Sequence, residues 1–381
     1  MNEPIYLDYN ASTPVAPQVL EAMSVAASAF GNPSSGHWAG SQAREIISRA
    51  RQQVATLLGC PADGIVFTSG GTEANNYAIK GAYFACGRRA AHIVTTAIEH
   101  PAVLNPCRFL QRLGARVSFV PVGRSGWVNP DDIQRALTND TILITVMHAN
   151  NETDVIQPVA DIAAIARERD ILFHTDAAQT PGKIPVDTES LRADMVSLAG
   201  HKFYAPKGIG ALYLRDGLFI EPLLHGAGHE NGRRAGTENV IRAAALGAAA
   251  ELARQALTGP AQEMARLRDL LQSRLLDTFG DRVTVNGDTT RRLPNTLHIS
   301  FIGQLGSDIL DRLPALAAST GSACHAGSLS ISPVLRAMDI PREAALGAIR
   351  LSLGRGTTEA EVERAVEMFR ASIIPDATPQ A

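Results

Sequence analysis

The sequence predicts an α/β protein with a mainly parallel, seven-stranded sheet in a large domain and a smaller α+β domain. Two observations support this prediction. Short apolar runs alternate with longer amphipathic helical patterns through the first two thirds of the chain, as expected when helices cover both faces of a parallel sheet. At 381 residues the chain is also too long for one ordinary hydrophobic core.

Seven apolar or β-branched runs are predicted to be the strands of the large sheet. They span residues 64–69, 92–96, 116–120, 142–148, 171–175, 195–199 and 210–214. The amphipathic segments between them are predicted helices, at 41–58, 75–85, 101–112 and 159–169.

The pattern changes after an alanine-rich helix at 240–257, where Gly259 and Pro260 interrupt the chain. Helices are then predicted at 261–279, 341–346 and 360–372, and short strands at 283–286 and 296–301. The sequence therefore predicts a large domain at 15–257 and a small domain formed by 1–14 and 258–381.

Composition argues against several classes of protein. The net charge of -3 and the pI near 6.4 do not favour nucleic-acid binding. No apolar run is long enough to span a membrane, and the N-terminus lacks the pattern of a signal peptide. The four cysteines are widely spaced and fit neither a disulfide framework nor a metal site, so a cytoplasmic protein without a bound metal is expected.

A glycine-rich turn at residues 67–76 is the first candidate site. A strand leads into Gly70 and Gly71, then Thr72, then a helix. Backbone N–H groups and a helix N-terminus placed in this way can bind a phosphate. The alternative is an ordinary glycine turn with Thr72 as the helix N-cap.

Asp176 is the second candidate, because it follows an apolar strand at the sheet edge where α/β proteins bind ligands. A carboxylate there could keep a ring nitrogen of a cofactor protonated. The alternative role is that of a helix N-cap.

Lys202 is the third candidate, since it follows another apolar strand and precedes aromatic and glycine-rich sequence. Burial lowers the pKa of a lysine amine and allows it to form a Schiff base. The alternative is a solvated surface lysine.

A phosphate site, a carboxylate for a ring nitrogen and a Schiff-base lysine, in this order, are the parts of a pyridoxal 5'-phosphate site. The sequence resembles fold-type I aminotransferase-like enzymes, and within them the NifS- and IscS-type cysteine desulfurases, with the selenocysteine lyases close beside them. The resemblance covers nearly the whole chain, in motifs at 6–14, 31–35, 99–103, 149–153, 233–239, 292–296, 319–324 and 349–355.

The resemblance implies a role for each residue that matches the family's motifs. Lys202 would hold pyridoxal 5'-phosphate covalently, and His100 would stack on its ring and act as acid or base. The other implied cofactor contacts are Gly71 and Thr72 near the phosphate, His201 at the phosphate, Asp176 at the pyridine nitrogen, Gln179 at the phenolic oxygen, and Thr237 from the second subunit of a homodimer. Asn151 and Arg350 would hold the carboxylate of the substrate L-cysteine.

Cys324 separates a desulfurase from a transaminase in this comparison. It lies in a run of small residues at 319–328, for which a flexible loop is expected. Its thiolate would take sulfur from the substrate as a persulfide, release alanine, and pass the sulfur to an acceptor such as an iron–sulfur scaffold. Cys60, Cys86 and Cys107 fit a structural role better, and His325 either supports the thiolate or is an exposed loop residue.

The sequence departs from the family pattern at four positions. Ala199 replaces the usual serine before the lysine, Asp154 replaces a glycine, Asn231 replaces an arginine, and His325 follows the cysteine as in selenocysteine lyases. Asp154 either requires an unusual backbone angle or places a carboxylate near the substrate.

Three functions are therefore considered. The first is a cysteine desulfurase that supplies iron–sulfur cluster or thio-cofactor assembly. The second is a selenocysteine lyase or another C–S lyase. The third is a catalytically weak, cofactor-binding partner of a sulfur acceptor, against which the complete set of candidate catalytic residues argues.

Overall fold

The computed structural model of the chain describes residues 3–320, 322–325 and 328–374, with the backbone alone at 322–325, 328 and 329. In chain order the helices are α1 Pro17–Ala27, α2 Trp38–Leu58, α3 Gly71–Ala85, α4 Pro101–Arg112, α5 Pro130–Ala136, α6 Val159–Glu168, α7 Thr188–Leu191, α8 Val240–Gln255, α9 Pro260–Phe279, α10 Gly306–Asp311, α11 Pro333–Ala337, α12 Arg342–Leu346 and α13 Glu359–Ile373. The strands are β1 Ile5–Tyr6, β2 Ile65–Thr68, β3 His92–Thr96, β4 Arg116–Val120, β5 Thr141–Thr145, β6 Leu172–Asp176, β7 Met195–Ala199, β8 Gly210–Leu214, β9 Val283–Val285, β10 Thr296–Phe301, β11 Leu316–Ala317, β12 Ser319–Thr320, β13 Ser322–His325, β14 Ser328–Ile331 and β15 Ala348–Ser352.

The large sheet confirms the predicted fold class. Its seven strands lie in the order β2-β8-β7-β6-β5-β3-β4. All pairings are parallel except those of β8, which runs antiparallel to both of its neighbours. Parallel neighbours bring the carboxyl ends of β5, β6 and β7 to one edge of the sheet, where the candidate residues follow them.

Helices cover both faces of the large sheet. Consecutive residues Ile93 and Val94 of β3 belong to different hydrophobic cores, because side chains alternate along a strand. One core includes side chains of α2 and α8, and the other includes side chains of α3 and α4. Burial on both faces explains why apolar side chains such as those of Ile93 and Val94 stand next to each other in these strands.

The second sheet is antiparallel, with the order β12-β15-β10-β9. Its core also contains Ile5 and Leu7 from the N-terminal segment and apolar residues of α9 and α13. β1 pairs in parallel with β11. This grouping supports the proposed domain division at residues 14 and 257, which stays a prediction.

The segment around Cys324 differs from the expected loop. The structure places β12, β13 and β14 there, and β13 pairs antiparallel with β14, so that Cys324 lies opposite Leu329. Small and hydroxyl side chains do not prevent a backbone from pairing, so the composition of this run is a poor guide to its secondary structure.

Within the described residues, none of the helices has both the length and the apolar character required to cross a membrane.

Candidate active site

One cavity of about 230 Å³ lies between the carboxyl edge of the large sheet and β15 of the second sheet. Most of the residues selected from the sequence line it. They are Gly71, Thr72, His100, Asn151, Asp176, Gln179, His201, Lys202 and Arg350. The candidate residues therefore come together although they are far apart in the chain.

The phosphate candidate lies at the start of α3. The helix begins at Gly71, with Gly70 as its N-cap, so Thr72 is not the cap residue. The first N–H groups of a helix have no partner within it and can bind an anion. A Cβ at Gly71 would lie 3.0 Å from the Cβ of Ala199, so glycine allows α3 to approach β7 closely.

Asp176 ends β6 and is almost fully buried, with 6% of its surface exposed. Asn75 Nδ2 donates to Asp176 Oδ2 at 2.6 Å, and the Ala178 N–H donates to Asp176 Oδ1 at 2.9 Å. These two donors orient the carboxylate at the cavity wall. Asn75 was not selected from the sequence, although it lies three residues after Thr72 and therefore on the same face of α3.

Lys202 lies in a short 3-10 turn directly after β7. Its Nζ donates to the backbone carbonyls of Asn10, at 2.6 Å, and Ala11, at 3.0 Å. Burial and the nearby Arg350 lower the pKa of Lys202 to about 8, against the opposing effect of Asp176. A substantial fraction of the amine is therefore neutral and nucleophilic near neutral pH.

His100 is the N-cap of α4. Its Nδ1 accepts a hydrogen bond from the Ala102 N–H at 3.0 Å, so in the neutral ring the proton is on Nε2. Burial lowers the pKa of His100, and Lys202 adds to this effect while Asp176 opposes it. The preceding Glu99 accepts from Thr96 and the Met147 N–H, and burial raises the pKa of Glu99 to about 8.

Gln179 and His201 lie on either side of the N-terminal turn that contains Asn10. Gln179 Nε2 donates to the Asn10 carbonyl at 3.1 Å. The His201 ring lies 3.4 Å from the Ser12 hydroxyl, and burial lowers the pKa of His201 to about 4, so the ring is neutral.

Arg350 lies on β15 and extends from the second sheet into the cavity wall. Its Nη1 donates to the Asn151 carbonyl at 2.7 Å, and its Nη2 donates to Asp8 Oδ1 at 2.8 Å and to Ser319 Oγ at 3.1 Å. Among the described residues its buried Nε has no hydrogen-bond partner. Asp8 and Ser319 were not predicted as parts of the site.

Cys324 lies in β13, which follows β12, and Ser319 of β12 is opposite Arg350 in the sheet. Five residues of chain span at most about 17 Å, so the Cys324 backbone lies within that distance of Ser319. The side chain of Cys324 lies outside the described part of the structure.

The other three cysteines differ from one another in burial. Cys107 is buried, as predicted, whereas Cys60 and Cys86 are only half-buried. Burial raises the pKa of both Cys60 and Cys107 to about 12, so these two thiols stay protonated and unreactive.

Thr237 and Asp154 lie outside the cavity. Thr237 lines a separate cavity of its own chain, next to Thr68 and Ser69, and its predicted action in a second subunit stays a prediction. Asp154 has a positive φ of 58° and is fully buried, so the unusual backbone angle is present. Its carboxylate does not line the cavity, because it accepts a hydrogen bond from Asn10 behind the cavity wall.

No group of three or more potential metal-binding side chains occurs among the residues that the structure describes. The site consists of a helix N-terminus, a buried carboxylate, a partly neutral lysine, a neutral histidine and an arginine. This set can hold a phosphorylated ring, form a covalent bond to it and bind a carboxylate.

The chain matches the class-V aminotransferase family over residues 5–365 and belongs to that family. A cysteine desulfurase, IscS, of Dictyoglomus turgidum is 46% identical over 376 residues, which cover 98% of this chain and 95% of that protein. Among solved structures, a NifS-like protein superposes with a TM-score of 0.90 at 38% identity, covering 96% of this chain and 98% of the other. A complex of SspA with cysteine superposes with a TM-score of 0.83 at 36% identity, covering 93% of this chain and all of the other.

Proposed function

We propose that this protein is a cysteine desulfurase that uses pyridoxal 5'-phosphate and carries the transferred sulfur on Cys324. The observation that supports this most strongly is the near-full-length similarity to proteins named cysteine desulfurase, at 46% identity for the IscS of Dictyoglomus turgidum. The cavity supplies a matching set of side chains around Lys202.

The residues present fit the cofactor. The N-terminus of α3 is available for its phosphate, and the oriented carboxylate of Asp176 is available for its ring nitrogen. Asn75 Oδ1 is buried beside this carboxylate without a hydrogen-bond partner among the described residues. The lowered pKa of Lys202 suits a residue that must bond to an aldehyde as a neutral amine.

The chain's own residues orient the reactants and move protons. When bound, pyridoxal phosphate withdraws electrons from the substrate and weakens the bonds at its Cα. Asp176 would accept a hydrogen bond from the ring nitrogen of the cofactor and so favour its protonated form. Lys202 Nζ and His100 Nε2 are the groups placed to give and take protons, because both lie in the cavity with lowered pKa values.

Arg350 binds the substrate carboxylate with its guanidinium group. Its Nε has no partner among the described residues and is the free donor, while Asp8 and the Asn151 carbonyl hold the other two nitrogens in place. The Nε–H of a guanidinium fixed in this way can donate a charge-assisted hydrogen bond to the substrate carboxylate.

The sulfur transfer itself balances without an external oxidant. The Cys324 thiolate attacks the substrate sulfur, an S–S bond forms, and the S–Cβ bond breaks. The electron pair of the broken bond stays with Cβ, which takes up a proton, so that alanine leaves and Cys324 keeps a persulfide. The persulfide sulfur then passes to an acceptor protein, which we propose is an iron–sulfur scaffold or a thio-cofactor enzyme in the cytoplasm.

The proposed active form is a homodimer in which Thr237 contacts the phosphate in the partner's cavity. Thr237 lies outside the cavity of its own chain, which is consistent with such an arrangement. Sedimentation at working concentration is expected to give a dimer, and a fully active monomer would contradict the shared site.

The test of the function is an assay of alanine release from cysteine and from selenocysteine. Wild-type protein is expected to form alanine from cysteine, and Cys324→Ala is expected to lose this activity while keeping the bound cofactor. Alanine formation from selenocysteine alone would instead support a selenocysteine lyase. Bound cofactor without alanine release from either substrate would support the third function, a catalytically weak protein that binds the cofactor and docks to a sulfur acceptor.

A further inference from the structure

Behind the cofactor cavity lies a buried polar cluster formed by Asn10, Asp154, Lys183, Asn295 and Thr296. None of these residues except Asn10 lines the cavity. The cluster connects the N-terminal segment, the large sheet and the second sheet. The candidate active-site chemistry described above does not use it.

The side chain of Asn10 is held between a carboxyl group that accepts and an amine that donates. Its Nδ2 donates to Asp154 Oδ1 at 2.9 Å, and its Oδ1 accepts from Lys183 Nζ at 3.1 Å. The reverse orientation would point the amide oxygen at the carboxylate and the amide N–H groups at the ammonium. The acceptor on one side and the donor on the other therefore fix the orientation of the Asn10 amide.

The two remaining members of the cluster complete this arrangement. Asn10 Nδ2 also donates to Thr296 Oγ1 at 2.8 Å, and Asn295 Nδ2 donates to Asn10 Oδ1 at 3.1 Å. The Asn10 amide thus has partners on both donors and both lone pairs, in a site with less than 2% exposure of Asn10 itself.

The backbone of the same residue contacts the active site. The Asn10 carbonyl accepts from Lys202 Nζ at 2.6 Å and from Gln179 Nε2 at 3.1 Å. Lys183 Nζ also contacts Gln179 Oε1 at 3.2 Å. A displacement of Asn10 would therefore displace Gln179, which is placed at the phenolic oxygen of the cofactor in the proposed site, and would also move the carbonyl that Lys202 contacts as a free amine.

We propose that Asn10 is a positioning residue, whose amide is clamped by Asp154 and Lys183 and whose carbonyl holds Gln179 in place beside the cofactor. This inference rests on the proposed function for its turnover measurement. Asp154 supports it independently, because a fully buried aspartate with positive φ occurs at a position that glycine would occupy without strain. Its carboxylate is the half of the clamp that glycine cannot supply.

The test compares Asp154→Gly, Lys183→Met and the double variant, with Asp194→Asn as the control. Asp194 is an aspartate beside the large sheet that accepts from the Phe173 N–H and pairs with Arg215, away from the cavity. Two quantities are measured in the holoenzyme: the pH midpoint of the visible absorbance of the bound cofactor, and kcat and KM for cysteine.

The clamp predicts that both single variants shift the absorbance midpoint in the same direction, by about half a pH unit or more. It also predicts an approximately tenfold fall in kcat with KM within about twofold of wild type, because the reacting groups are displaced and not removed. The kcat of the double variant is expected to lie within about twofold of the lower of the two single-variant values, because either change alone releases Asn10. The control is expected to match wild type.

A direct electrostatic effect of Asp154 and Lys183 on the cofactor would shift the absorbance midpoint differently. Removing the negative Asp154 would lower the midpoint of a cationic chromophore, and removing the positive Lys183 would raise it. Opposite shifts, unchanged midpoints, or a change confined to the melting temperature would each overturn the proposal. Asp154→Gly is chosen because it removes the acceptor of Asn10 and suits the positive φ at this position; if it does not fold, Asp154→Ala replaces it.

The midpoint measurement also separates this inference from the function. A wild-type protein that binds the cofactor but releases no alanine from cysteine would contradict the proposed function. The absorbance shifts of the same variants would still decide whether Asn10 is clamped.

Discussion

The two walls of the cavity differ in how they affect the charge of their ionisable side chains. In the large-sheet wall, formed by His100, Asp176 and Lys202, desolvation outweighs the opposing effect of Asp176 and lowers the pKa of the lysine and of the histidine. On the small-sheet wall Arg350 lines the cavity, and its guanidinium is held in an ion pair with Asp8 at 2.8 Å. The difference is consistent with the proposed roles, in which the first wall moves protons and the second binds the substrate.

This difference follows from desolvation. A lysine or histidine that loses water without gaining a close anion favours its neutral form, which can act as a nucleophile or a base. An arginine stays charged under all ordinary conditions and is held by partners that match its planar shape. Variants in the two walls are therefore expected to affect different steps.

The largest effect is expected for Lys202→Ala in the large-sheet wall. The covalent bond to the cofactor is lost, so the purified protein should lose its yellow colour on dialysis, and turnover should fall by about three orders of magnitude or more. Absorbance spectra before and after dialysis measure this. Lys207→Ala, an exposed lysine close in sequence, is the control and should keep its colour. A borohydride-reducible bond to the cofactor that persists in Lys202→Ala would show that another lysine holds it.

A smaller effect is expected for Asp176→Asn. The variant keeps the shape of the side chain and removes the charge that holds a proton on the ring nitrogen, so kcat should fall by about 10²- to 10³-fold. Binding of the cofactor should persist, because its phosphate and covalent contacts are untouched. Steady-state kinetics with Asp194→Asn as the control measure the effect. Near-normal turnover would remove Asp176 from the proposed mechanism.

The smallest of the three effects is expected for Arg350→Lys in the small-sheet wall. Lysine keeps the charge but cannot reproduce the contacts of Arg350 with Asp8, Ser319 and the Asn151 carbonyl. KM for cysteine should rise by about 10- to 100-fold with a smaller change in kcat. Arg370→Lys on the exposed side of α13 is the control. A change in kcat alone would contradict the assignment of this wall to substrate binding.

The sequence predicts the large-sheet wall well, because its residues follow apolar strands with clear boundaries. β3, β4, β7 and β8 begin and end at the predicted residues, and Lys202 and Asp176 lie at the predicted edge. The helix α1 and the strand β15 were not predicted as elements.

The residues behind and beside this wall could not be predicted in the same way. Asn10 contacts Asp154, Lys183 and Thr296, which lie 144, 173 and 286 positions away in the chain. Local patterns carry no signal for contacts between such distant segments. In the sequence, Asp154 was recognisable only because the family has a glycine at this position. That it lies behind the cavity wall could be seen only in the folded structure.

The assignment of the sulfur-carrying residue is the central claim, and mass spectrometry after a short incubation with cysteine tests it most directly. The proposed mechanism predicts the added mass of one sulfur atom on the peptide that contains Cys324, while the peptides with Cys60, Cys86 and Cys107 stay unchanged. The burial that raises the pKa of Cys60 and Cys107 to about 12 makes them poor nucleophiles and supports this expectation. Added sulfur on any of these three cysteines, or full cysteine turnover by Cys324→Ala, would contradict it.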